Sequence, residues 1–172
     1  MASSGDDHVQ AAGKVPVAAA NAVGLTGHAV IAGFGVPGRA IADMLHAQGM
    51  TFCVIEQNDE TVDRCRKSGL CMVEGNAGDP ATLRAAGLDR AVLFACTVPN
   101  DAAMYEAVAE ARRLNPNLRI LARCRYVSSG IEAARRGADD VVVEEHAVAQ
   151  AFESLLHADP HSASPPRVMP RE

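Results

Sequence analysis

Tryptophan is absent from this 172-residue chain, and aromatic residues of all kinds make up only 3% of it. Its core must therefore be built from small and branched aliphatic side chains, as where helices pack closely on a sheet. Basic charge is also scarce: 16 Lys and Arg against 21 Asp and Glu leave a net charge of −5. That excludes the clustered cations needed to follow a nucleic-acid backbone or an anionic lipid surface. No apolar run reaches the roughly 18 residues that span a bilayer. The N-terminus lacks the charged and then continuously apolar pattern of a secretory signal, and Asn21 and Gly24 interrupt its apolar stretch, Val15 to Leu25. Direct membrane insertion is not expected, and the expected location is cytoplasmic.

Catalytic and metal-binding patterns are missing as well. The five cysteines (Cys53, Cys65, Cys71, Cys96, Cys124) show no CxxC spacing and are odd in number, which fits reduced, buried thiols better than a disulfide framework. The six histidines (His8, His28, His46, His146, His157, His161) have no metal-ligand spacing. Neither Tyr105 nor Tyr126 is followed four residues later by Lys, so the Tyr-x-x-x-Lys pair of short-chain dehydrogenases is absent. No Ser, Cys or carboxylate pair stands out as an activated nucleophile. No catalytic or metal-ligating residue is assigned.

What is present is an alternation of short apolar runs and amphipathic helical segments. Residues 1–26 carry neither period and read as a disordered leader; residues 158–172, rich in Pro and Ser, read as a disordered tail. Residues 27–157 form one domain, and the chain is too short for a nucleotide domain plus a full substrate domain. Strands are expected at Ala29–Ala32, Thr51–Ile55, Cys71–Val73, Ala91–Ala95, Arg119–Ala122 and Asp140–Val143. The first helix is expected to turn Ala40, Ile41, Met44 and Leu45 inward. Asn58, Asp79 and Asn100 are positioned to cap the helices that follow them. Two βαβαβ halves predict a doubly wound, Rossmann-like α/β fold: a six-stranded parallel sheet of order 3-2-1-4-5-6, with ligand at the crevice beyond strands one and four. After strand six, Val148, Phe152, Leu155 and Leu156 make a one-sided apolar stripe. It can cover the domain's own sheet or dock a second subunit.

The segment HAVIAGFGVPG places Gly33, Phe34, Gly35, Val36, Pro37 and Gly38 between a strand and a helix. In this pattern the first glycine permits the tight turn, the second lets a phosphate approach the backbone, and the third lets helix and strand pack. Glu56, at the end of strand two and 18 residues after Gly38, can accept hydrogen bonds from both ribose hydroxyls. Its charge repels a 2′-phosphate, and Gln57 beside it supplies no cation, so NAD(H) or an adenosine nucleotide is favoured over NADP. Asn76 and Ala77 follow strand three and Thr97 follows strand four, both on the crevice side. Asn76 can offer a donor and an acceptor to an adenine edge, and Thr97 a hydroxyl to the ribose or phosphate. Arg123 and Arg125 leave strand five where a guanidinium could reach a phosphate, pair with a neighbouring subunit's carboxylate, or lie at the surface.

Taken together, IAGFGVPGRAIADML, FCVIEQND, GNAGD and LARCRYVSSGIEAARRGADDVV resemble the TrkA-N family, the N-terminal lobe of the RCK domains that regulate potassium channels and cation/proton antiporters. The resemblance runs from about residue 28 to residue 152. It implies a sensor that binds NAD(H), AMP, ADP or ATP and thereby shifts an assembly that gates transport. Residue by residue it places Gly33, Gly35 and Gly38 in the phosphate turn, Glu56 at the ribose, Asn76 on the adenine side, Thr97 in the loop after strand four, and Arg123 at strand five. Two positions depart from the pattern: Val36 stands where many relatives have Arg, and Asn76 where Asp is commoner. The first removes a phosphate clamp and weakens the case for a triphosphate.

The expectation is a stand-alone regulatory subunit, a homodimer or higher ring, acting on a membrane cation channel or antiporter. The rival readings are a minimal NAD-dependent oxidoreductase that borrows substrate-binding residues from a partner, and an orphan nucleotide-binding module.

Overall fold

The computed structural model describes residues 22–157. The Pro- and Ser-rich tail and most of the leader lie outside them. The chain alternates β1 (Ala29–Ala32), α1 (Val36–Ala47), β2 (Phe52–Glu56), α2 (Asp59–Lys67), β3 (Met72–Glu74), α3 (Pro80–Ala85), β4 (Leu93–Cys96), α4 (Asp101–Leu114), β5 (Arg119–Cys124), α5 (Val127–Arg135), β6 (Asp140–Val143) and α6 (Glu144–His157). All pairings are parallel, and the order is β3-β2-β1-β4-β5-β6, as the two βαβαβ halves predict. The central strand β1 is AVIA, and every one of its side chains is buried. Helices on both faces require this. Ala29 and Ile31 pack with Val54, Val62 and Leu45 on one side, and Val30 and Ala32 with Phe94, Met104 and Ile120 on the other. Fully burying a side chain such as Ile31 or Phe94 contributes about 1.5–3 kcal/mol.

The caps fall where their residue types suggest. Asn58 Oδ1 accepts from the Thr61 N–H at 2.8 Å, Asp79 Oδ1 from Ala81 at 3.0 Å, and Asn100 Oδ1 from Ala103 at 3.0 Å. Each satisfies an amide that the first helical turn leaves without a partner.

Several boundaries differ from the sequence pattern. The buried face of α1 is Gly38, Ala42 and Leu45, while Ala40 and Met44 face solvent. The close approach at Gly38 sets the rotation of this helix, and hydropathy alone does not register that contact. Strand β4 starts two residues later than expected, and β5 continues to Cys124. Of Ala22 to Thr26, read as leader, Ala22 and Leu25 pack against the core. Ala22 is fully buried, and Arg90 donates to the carbonyls of Leu25 (3.1 Å) and Ala22 (3.3 Å). Those bonds join residues more than sixty positions apart and have no local signature.

The largest departure is α6. None of its residues is buried, and Val148, Phe152, Leu155 and Leu156 are all exposed, Leu156 to 82%. The stripe does not cover the domain's own sheet.

Candidate functional site

At the C-terminal ends of the strands lies a crevice of about 490 Å³, lined by Gly33–Pro37, Ile55–Gln57, Gly75–Ala77, Thr97–Pro99 and Arg123. The topology requires its location. The strand order reverses between β1 and β4, so the loops after them part and leave a cleft.

The three glycines of the turn meet different constraints. Gly33 has φ +89°, a left-handed conformation, and a Cβ there would stand 2.9 Å from Thr97 Oγ1. At Gly38 a Cβ would stand 2.1 Å from the carbonyl oxygen of Gly33, so any side chain would force α1 away from β1. Gly35 is unlike both. Its φ of −71° suits any residue, and an added Cβ would meet nothing nearer than Pro37 Cδ at 4.0 Å. Neither the fold nor the backbone needs a glycine there; the space in front of it belongs to the crevice.

Gly35 is also the N-cap of α1 and contributes no capping side chain, and no acidic residue sits in the first turn. Helices α2, α3 and α4 all have capping side chains, whereas α5, like α1, opens without one. On α1, however, the uncapped end faces a cleft. Its amide donors and the positive end of its dipole make a ready anion site.

Glu56 lies across the turn, its carboxylate already oriented by backbone. Oε2 accepts from the Phe34 N–H at 2.8 Å; Oε1 accepts from Gln57 at 2.8 Å and Asn58 at 3.0 Å. A carboxylate has about four acceptor positions, so one on Oε2 stays open in this arrangement. Glu56 thus ties β2 to the glycine turn as well as facing the cleft.

Two expected ligand contacts are engaged elsewhere. The Thr97 hydroxyl is buried against the carbonyls of Ala32 (2.9 Å) and Gly33 (3.1 Å), so it braces the turn and does not present an O–H to the cleft. Asn76 Oδ1 accepts from the Gly78 N–H at 2.9 Å, closing a local turn that leaves its amide NH₂ as the group open to a ligand. Arg123 does pair with a carboxylate, but an intramolecular one: its Nε donates to Glu144 of α6, while Nη1 donates to the Thr97 carbonyl at 3.2 Å. Sequence reasoning missed Glu144, since nothing in the spacing relates it to position 123. Arg125 lies outside the crevice, beside Asn100 and Asp101.

Glu56 and Arg123 are the only charged side chains among the lining residues. Among the described residues no cysteine, histidine, lysine or tyrosine lines the cleft. The five cysteines are free and buried, and burial pushes the Cys96 thiol up to about 12. Among the described residues there is no group of three or more His, Cys, Asp or Glu side chains placed to hold a metal. None of their helices is long and apolar enough to cross a membrane.

The TrkA-N domain model matches residues 29–144. Over 138 residues the chain is 33% identical to YbaL of Escherichia coli strain K12, which takes in 80% of this chain and 25% of YbaL. It is 31% identical over 120 residues to the chloroplastic K(+) efflux antiporter 2 of Arabidopsis thaliana, covering 70% of this chain and 10% of that protein. The chain thus spans a quarter or less of the length of these relatives. Among solved structures, the TrkA-N domain of the Escherichia coli inner membrane protein YbaL superposes with a TM-score of 0.75 at 33% identity, over 77% of this chain and 98% of that one. The structure of GsuK bound to ADP gives 0.64 at 28% identity, over 78% and 34%. Kef CTD of Shewanella denitrificans in its AMP-bound form gives 0.61 at 25% identity, over 78% and 84%.

Proposed function

We propose, since this chain belongs to the TrkA-N domain family, that it is a nucleotide-binding regulatory domain of a potassium channel or cation/proton antiporter, acting by binding and not by chemistry. The observation that carries the nucleotide is Gly35, a glycine the fold does not need, placed at an uncapped helix N-terminus on the crevice wall. The phosphate lies against Gly33, Phe34, Gly35, Val36, Pro37 and Gly38. Glu56 and Gln57 flank the ribose, Asn76 and Ala77 the adenine side, and Arg123 the end beyond the phosphates, with Thr97 supporting the turn from behind. The ligand is AMP, ADP, ATP or NAD(H). In support, two structurally similar proteins were solved with nucleotides of this class, GsuK bound to ADP and Kef CTD in its AMP-bound form.

The oxidoreductase reading loses ground on the lining itself. Both charged groups are held by hydrogen bonds, the one buried hydroxyl is engaged, and no acid/base pair faces the cleft. The transport role is supported by the relatives, among them a K(+) efflux antiporter, and the proposed location is the cytoplasm, against a membrane partner.

The assembly is a homodimer or higher ring, with a second copy of the chain covering α6. The groove of about 580 Å³ between α5, β6 and α6 is lined by Val127, Ile131, Val141 and Val142, beside the exposed stripe of α6. On α6 the groove is lined by His146, Ala147 and Gln150, about half a turn around the helix from the stripe, so that in a pair related by a two-fold axis the stripe of each copy would seat against the groove edge of the other.

Calorimetric titration with AMP, ADP, ATP, NAD and NADH tests the nucleotide reading. Gly35→Ala should lower the melting temperature only slightly, by the small cost of Ala at an N-cap, while weakening binding about tenfold or more, since a Cβ blocks a close phosphate contact worth about 1.4 kcal/mol or more. Undiminished affinity in the variant would remove the argument from Gly35.

A further inference from the structure

We infer that Glu144 is a built-in competitor for Arg123, so that the crevice discriminates adenosine nucleotides by whether they carry charge beyond the first phosphate. The inference rests on the nucleotide reading of the crevice. The cleft has an anion at one end, Glu56 on β2, and a cation at the other, Arg123 on β5. In the sheet order these strands are three spacings apart, about 14 Å, with the phosphate turn after β1 between them. A nucleotide whose ribose is at Glu56 places its first phosphate at that turn.

Arg123 reaches back toward the turn. Its Nη1 donates to the carbonyl of Thr97, and Thr97 itself braces Ala32 and Gly33 through its hydroxyl. The guanidinium therefore lies over the end of β4, one strand spacing of about 4.8 Å from the turn. A second phosphate continuing away from Glu56 enters its field; a first phosphate held at the turn does not. Glu144 already occupies the Nε side of that guanidinium. Glu144 is the first residue of α6 and follows β6 without an intervening loop, so the ion pair joins the crevice to the start of the exposed helix. The pair is 27% and 38% exposed at its two side chains, dry enough to matter and wet enough to open. A second phosphate takes Arg123 from Glu144, and opening the pair lowers the apparent affinity for that ligand. AMP leaves the pair closed.

The test uses the full chain with AMP and ADP, by calorimetry and by NMR of the Arg123 Nε–Hε resonance, identified by its loss in Arg123→Lys. Glu144→Gln should tighten ADP binding about two- to fivefold, the scale of a partly exposed ion pair, and leave AMP affinity unchanged. In the unsubstituted protein, ADP should move the Arg123 resonance and AMP should not. Glu144→Gln should move it without ligand. Equal changes for the two nucleotides, or no change for either, would overturn the inference while AMP binding that depends on Glu56 keeps the crevice reading intact. Failure of both nucleotides to bind the unsubstituted protein would overturn the crevice reading itself.

Discussion

The β1–α1–β2 corner and the β6–α6 edge are built from similar residue types and end in opposite states. Around the corner, β1 is wholly buried, Gly38 meets the backbone of Gly33, and Glu56 is held by three amides. At the edge, β6 is a terminal strand whose Val142 is 59% exposed, and α6 buries nothing. The contrast is between a corner that the described residues pack fully and an edge that they leave open. Among the described residues nothing covers the apolar stripe of this 14-residue helix, and a helix that packs so little is marginal in water. The corner needs no second copy.

The largest expected effect that sharpens the contrast is on the corner. Gly38→Ala should destabilise the domain by about 3 kcal/mol, the upper end of overpacking, because the Cβ would collide with backbone that cannot swing aside. Thermal or urea unfolding reads this directly, and a neutral result would show that α1 can slide on β1. Next is Glu56→Ala, which should weaken adenosine-nucleotide binding by about 1–3 kcal/mol. It should also lower stability, since the Phe34 amide loses its acceptor. Loss of stability with unchanged affinity would reduce Glu56 to a structural tie.

The edge should respond in the reverse sense. Leu155→Asp should change monomer stability by no more than about 0.5 kcal/mol, as for an exposed position, yet shift the sedimentation profile toward monomer. A stability loss without a change of assembly would mean that α6 packs within its own chain. The smallest effect concerns acid. The Ile120 N–H and, after the opposing cost of burial, Arg112 hold Asp139 below the usual carboxylate range. A depressed pKa contributes stability that is present above the unfolded value, about 3.9, and lost as pH falls through the lower folded one. Asp139→Asn should therefore flatten the acid limb of the stability curve below about pH 4. The effect should be about 0.5 kcal/mol or less, because the Asp139 side chain is 47% exposed.

Much of the fold was legible because local chemistry and period agree. Asn58, Asp79 and Asn100 announce their helices, and the strand and helix alternation leads to the sheet order. The glycine turn and the end of β2 were legible for the same reason: a strand–turn–helix needs these residue types at this spacing. The partners of Thr97, Asn76 and Arg123 were not. Each offers the same donors and acceptors to a ligand as to the protein, and only packing shows which is in place. The rotation of α1 was misjudged because the contact that fixes it, at Gly38, has no hydrophobic side chain to reveal it.

The sequence by itself determined the doubly wound sheet and the glycine turn between β1 and α1, both of which follow from residue type and short-range spacing. Only the tertiary structure decided that Gly35 faces open space, that Thr97 is a brace, that Arg123 is held by Glu144, and that the other described residues leave α6 uncovered. These depend on which atoms meet across strands and helices distant in the chain, and a polar or apolar side chain carries no record of its partner until the chain has folded.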